Sequence, residues 1–202
     1  LKKAYNEFQL IYYLIIAGIH GVSFAMIMSF ILIYTKGITD VNYNLPWTGF
    51  IIVLNSLMYN IKTPQGMLTI AAGLYKESRN RITLQTAIAI IFGMLLGYLY
   101  GLNGIIAGML LANLYRAVDL IFFIPKYIPQ ISKTSTIYRM LSVIILSFII
   151  YMPMLFLHIE INNLVIWTIS TIGMIIYACM IVSIYMILFE RNTMKSIICR
   201  FR

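Results

Sequence analysis

The sequence predicts an all-α membrane protein, a bundle of six transmembrane helices with both chain ends on the cytoplasmic side. Three observations predict it. The 202 residues are 61% hydrophobic and only 10% charged, against about 25% charged residues in an average soluble domain. Six apolar stretches reach, or come within a residue of, the ~20 residues that a helix needs to cross the hydrocarbon. The basic residues gather in alternate connections. No soluble domain of this size buries so much apolar surface, and nothing in the chain alternates like the strands of a membrane barrel.

The spans run over about 8–34, 47–73, 82–100, 105–124, 139–157 and 164–189. Lys2 and Lys3 precede the first. The connection 35–46 sets Lys36 against Asp40. The connection 74–81 holds Lys76, Arg79 and Arg81. The turn 101–104 has no charge. Lys126, Lys133 and, at its edge, Arg139 mark the connection 125–138. The connection 158–163 has His158 and Glu160, and the tail has Arg191, Lys195, Arg200 and Arg202. Twelve of the fifteen basic residues thus fall on one side and one on the other, with Lys62 and Arg116 inside spans. Positive charge marks the cytoplasmic side. The same distribution accounts for the net charge of +9 and removes the case for a nucleic-acid partner. Leu1 opens the chain in place of Met, with no signal peptide, so the chain is expected to be a piece of a longer protein.

The third and fourth spans read as a tight hairpin. Gly93, Gly97 and Gly101, then Gly104, Gly108 and Ala112, repeat every four residues, which puts small residues on one helix face and lets two backbones approach. Cys179 and Cys199 share no spacing motif, so free thiols are expected. No connection is long enough for an extramembrane catalytic domain. With only two histidines and scattered acids, no catalytic constellation is present. The chain is not expected to be an enzyme, and no cofactor or metal is implied.

Polar residues inside the spans are the candidate site. A charge at the centre of a span costs about 2.5–3.5 kcal/mol on insertion scales. Lys62 lies near the middle of the second span, deep for a lysine to snorkel from. Asn55, Tyr59, Lys62 and Gly66 fall on one helical face, and Pro64 removes a backbone hydrogen bond, so a kink is expected there. Such a face suits a wetted cavity wall, and equally a lysine paired to an acid on a neighbouring helix. Arg116 and Asp119 in the fourth span are spaced to pair along the helix, with Tyr115 beside them. That pair serves a site or merely the packing. His20, at the centre of the first span, is a proton-relay residue or a histidine bonded to a neighbour.

Three segments resemble a known family. They are Leu32 to Tyr43 (LIYTKGITDVNY), Ala71 to Arg79 (AAGLYKESR), and Tyr100 to Gly108 (YGLNGIIAG) followed by Leu114 to Asp119 (LYRAVD). Their order at the helix ends is similar to the carboxy-terminal half of bacterial polysaccharide transporters. These are the lipid-linked oligosaccharide flippases of the O-antigen and capsule type, within the superfamily of multidrug, oligosaccharidyl-lipid and polysaccharide exporters. The resemblance covers residues 8–135 well and the last two helices by hydropathy.

It implies one lobe of a two-lobed exporter of twelve to fourteen helices in the bacterial cytoplasmic membrane. The partners it implies are membrane lipid, an undecaprenyl-diphosphate-linked glycan as substrate, the missing amino-terminal lobe and other polysaccharide assembly proteins. Lys62, Arg116, Tyr59, Asn55 and Tyr115 would then line the substrate cavity. The cations would offset diphosphate charge at lowered dielectric, and the tyrosines would stack on sugar rings. Tyr34 and Lys36 would stand at the outer mouth, and Asp119 and His20 would couple an ion gradient to alternating access. The alternatives are a cation-coupled multidrug exporter lobe, whose cavity should favour acids, and a non-transporting membrane fragment.

Overall fold

The computed structural model describes residues 2–157, 161, 163–191 and 193. His158, Glu160, Lys195, Cys199, Arg200 and Arg202 lie outside the described residues. The described chain is all helical: α1 (Lys2–Tyr34), α2 (Pro46–Ile61), α3 (Thr63–Ala71), α4 (Tyr75–Tyr127), α5 (Lys133–Leu157) and α6 (Leu164–Phe189). Four of these, α1, α4, α5 and α6, are long and apolar enough to cross a membrane. The stretch 47–73 is divided between α2 and α3, and the stretches 82–100 and 105–124 both lie within α4.

Two compact units share the chain. One is built from Lys3–Gly49 and Ser142–Arg202, the other from Phe50–Leu141. In the first, α1 meets α5 at Gly21, where an added Cβ would stand 2.6 Å from the Ile150 side chain and 3.0 Å from the Ser147 carbonyl. Phe24 stacks on Phe148 at 5.6 Å. The Ser147 hydroxyl turns back on its own helix to the Val143 carbonyl at 2.9 Å. The first turns of α6 join through Trp167, whose indole N–H donates to the Met26 carbonyl at 3.2 Å while Phe30 lies 5.1 Å from its ring. The Asn163 side chain caps α6, accepting from the Ile166 N–H at 2.8 Å, which satisfies one of the donors that a helix start leaves open. Between α1 and α2, the Tyr43 hydroxyl donates to the Asp40 carboxylate at 3.0 Å. That bond holds the Tyr43 phenol above its ordinary range.

The second unit is organised by α4. Its chain reverses at Gly101, with φ 60° and ψ −138°, a conformation that side chains resist and glycine allows. The two arms then run back along each other. A Cβ on Gly97 would stand 2.8 Å from the Ile105 side chain, one on Gly104 would fall on the Leu96 carbonyl, and one on Gly108 on the Gly93 backbone. The close glycine-faced hairpin expected from the repeat is therefore present.

At the other end of the hairpin the expectation needs correction. Residues 75–81, expected to form a connection, are the first two turns of α4. Hydropathy marks where a chain is apolar, not where its helix stops, and neither glycine nor proline interrupts 75–81. The actual link is short: α3 closes on Gly73 at φ 70°, with Gly73 N–H bonded to Ile70 O and Leu74 N–H to Thr69 O, both at 3.0 Å. This paired termination returns two orphan carbonyls to bonding. Likewise the connection expected at 125–138 shrinks to 128–132.

Gly104→Ala should cost about 1–3 kcal/mol, because the hairpin must part to admit the methyl group. Gly18→Ala, where an added Cβ meets nothing within 4 Å, should be neutral or slightly stabilising. Thermal unfolding of the two detergent-solubilised variants, followed by circular dichroism, makes the comparison. Equal stability in both would contradict the close approach.

Candidate functional site

The second unit contains a cavity of about 400 Å³. One wall is the α2–α3 segment. α2 ends at Ile61 and α3 begins at Thr63, with Lys62 between them and Pro64 in the first turn of α3. The Gly66 N–H still bonds the Lys62 carbonyl at 3.0 Å, so the interruption is local, as expected from the bond that Pro64 cannot make. Tyr59, Lys62, Thr63 and Gly66 face the cavity from this wall. The Lys62 ammonium lies 4.6 Å from the centre of the Tyr59 ring, close enough for the cation to be drawn to the ring face. The facing wall is the base of the hairpin. Tyr75, Ser78 and Gln85 come from its first arm, and Arg116 and Leu120 from its return arm.

Arg116 is held from two sides. Its Nη1 donates to Asp119 Oδ2 at 2.6 Å, along the same helix, and its Nη2 donates to Ser78 Oγ at 2.7 Å, across the hairpin. The second oxygen of Asp119 is taken by Arg81, also across the hairpin. Arg81 in turn lies 5.1 Å from the Phe123 ring centre. One carboxylate therefore serves two guanidiniums. Both its own side chain and that of Arg116 are buried, while Arg81 keeps 38% of its side chain exposed. Lys62, on the opposite wall of the cavity, adds a third cation near this group. Charge-assisted bonds of this kind are about twice as strong as neutral ones, and they are what makes a buried arginine tolerable.

A second polar chain runs toward the hairpin tip. The Gln85 amide donates to Asn113 Oδ1 at 3.4 Å, and Asn113 donates to Asn55 Oδ1 at 2.9 Å. It links the first arm, the return arm and α2.

The expected site residues thus divide. Tyr59, Lys62 and Arg116 are brought to one cavity. Asn55, one turn before Tyr59 on α2, does not line it but joins through Asn113 and Gln85. Tyr115 is half-buried beside Arg116 and is not part of the cavity wall. Asp119 is the anchor of the arginine pair. His20 belongs to the first unit, where its Nδ1 meets the Ile16 carbonyl at 2.7 Å; since a carbonyl only accepts, Nδ1 carries the proton. Tyr34 and Lys36 are exposed at and just beyond the end of α1. Cys179 is a free thiol exposed on α6.

Four contributors had no place in the expected site: Ser78, Arg81, Gln85 and Asn113. Ser78 and Arg81 sit on the segment assigned to a connection. The signal was available in their registry. Residues about equidistant from Gly101 face each other in a hairpin, and 81 with 119 nearly satisfy that condition, whereas 85 with 113 are offset by about one turn.

Asp119→Asn should destabilise the solubilised protein by about 3–5 kcal/mol, the cost of leaving a buried charge without its partner. Arg81→Ala should cost less, since water reaches part of that side chain. Thermal unfolding ranks the two, and the reverse order would contradict a shared anchor. In a background with Cys179 and Cys199 replaced by serine, Tyr59→Cys and Gly66→Cys should react with a water-soluble maleimide in membranes. Leu57→Cys, at a position 0% exposed, should not. Silence at 59 and 66 would mean that the cavity is dry. No family model, curated protein or solved structure matches this chain.

Proposed function

We propose that the chain is one lobe of a flippase that carries undecaprenyl-diphosphate-linked oligosaccharide units across the bacterial cytoplasmic membrane for surface polysaccharide assembly. The observation that carries the reading is the meeting of Lys62 and Arg116 at one cavity beneath the exposed ring of Tyr59. Membrane helices place ionisable side chains inside only at a price in free energy, and such residues are functional by default. An anionic diphosphate entering this cavity would meet more positive than negative charge in surroundings where attraction is stronger than in water. The tyrosine rings offer faces for sugar.

In this reading the chain crosses the membrane six times. The reversal at Gly101 makes two passes of α4, and α2 with α3 makes one pass bent at Lys62. Both termini lie in the cytoplasm. A second lobe completes the cavity, and rocking of the two lobes exposes it to either side in turn. The predominance of cations disfavours a lobe built for cationic drugs.

Deleting the gene in its native host should leave undecaprenyl-diphosphate-linked repeat units on the cytoplasmic leaflet and remove the surface glycan. Normal surface glycan would overturn the proposal. In the full transporter, Lys62→Ala should lower export about tenfold, equivalent to about 1.4 kcal/mol, at unchanged protein abundance. Lys62→Arg should retain most of the export. Loss of the protein itself in Lys62→Ala would assign the residue to packing.

A further inference from the structure

We infer that the cavity is a sugar-phosphate site in which Gln85 determines specificity by hydrogen-bonding the hydroxyls of the sugar next to the phosphate; the inference rests on the flippase reading above.

The argument begins with unused hydrogen-bonding capacity. Arg116 is 5% exposed, yet among the described residues its guanidinium makes two hydrogen bonds, to Asp119 and Ser78. An arginine carries five N–H groups, so three remain beyond these two bonds, on a residue that lines the cavity. A phosphate oxygen answers them with strong, charge-assisted geometry.

Gln85 shows the same incompleteness in a neutral group. It lines the cavity, and among the described residues its one hydrogen bond is the donation to Asn113. Its carbonyl oxygen and second N–H remain. Side by side, an acceptor and a donor match two neighbouring hydroxyls of a sugar ring, one giving and one taking a proton. The buried Asn113, itself donating to Asn55, fixes the plane of that amide, so Asn113 is a positioning residue.

Spacing joins the two groups. Gln85 is paired with Asn113, three residues before Arg116 on the return arm. The amide therefore stands closer to the hairpin tip than the guanidinium, by ~4.5 Å counted from Asn113 to Arg116 on the return arm and ~10.5 Å counted from Ser78 to Gln85 on the first. That interval has room for a sugar ring beside its phosphate. Tyr59 and Tyr75, 57% and 62% exposed, line the same cavity and supply flat apolar faces for the ring.

The test uses the full chain in detergent and two phosphate monoesters that differ only in the sugar, methyl phosphate and a hexose 1-phosphate, with affinities read by calorimetry. The hexose ester should bind at least tenfold more tightly than the methyl ester. Gln85→Leu should bring that ratio below threefold, and Asn113→Leu should lower it to an intermediate value. If Gln85→Leu does not fold by circular dichroism, Gln85→Met keeps the shape without the polar atoms and takes its place. A wild-type ratio near one, with methyl phosphate still bound, overturns this inference and leaves the anion cavity standing. A ratio that survives loss of the Gln85 amide also overturns it. Binding of neither ester removes both the inference and the reading beneath it.

Discussion

The base of the α4 hairpin depends on how the Asp119 carboxylate is shared. One oxygen goes to Arg116 on its own arm and the other to Arg81 on the opposite arm, and Arg116 reaches across to Ser78. Glycines set the spacing of the arms near their tip, where backbones nearly touch. No such contact is available at the base, where the chain carries long polar side chains. The shared carboxylate takes over there and holds the arms in register. It also holds the guanidinium of Arg116 at the cavity wall, so the geometry of the site follows from the geometry of one ion cluster.

Much of the secondary structure was legible because lipid leaves a chain few options. A backbone in hydrocarbon must bond to itself, and helices accordingly occupy every apolar stretch. The ends of the last stretch, 164–189, coincide with those of α6. The bond that Pro64 cannot make coincides with a local break between α2 and α3 at Lys62, since a missing N–H is a local chemical fact. The helix start at Tyr75 was not legible from hydropathy, because Lys76, Arg79 and Arg81 look alike in a loop and on a solvated helical turn.

The site was legible in the same proportion. Lys62, Arg116 and Tyr59 stood out because a cation in an apolar stretch, or an aromatic ring one turn from it, needs a reason. Ser78, Gln85 and Asn113 did not stand out. Each is unremarkable along the chain and becomes part of the site only through a partner on another arm or helix, 28 to 58 residues away in sequence. Pairing along one helix, as for Arg116 and Asp119, can be read from spacing. Pairing across a hairpin requires the register, and register is fixed by the point of reversal at Gly101.

The sharing of one carboxylate also constrains how this protein can diverge. A lineage that loses the acid at 119 inherits two stranded arginines, and replacing either arginine alone does not repair the other. Positions 81, 116 and 119 are therefore bound to drift as a set, through simultaneous change or through an intermediate that has first lost a cation. Loss of Arg81 is the easier first step, because water already reaches it. Related chains should then fall into those that keep all three charges and those that keep only the pair within the return arm, with few that keep both arginines and no acid.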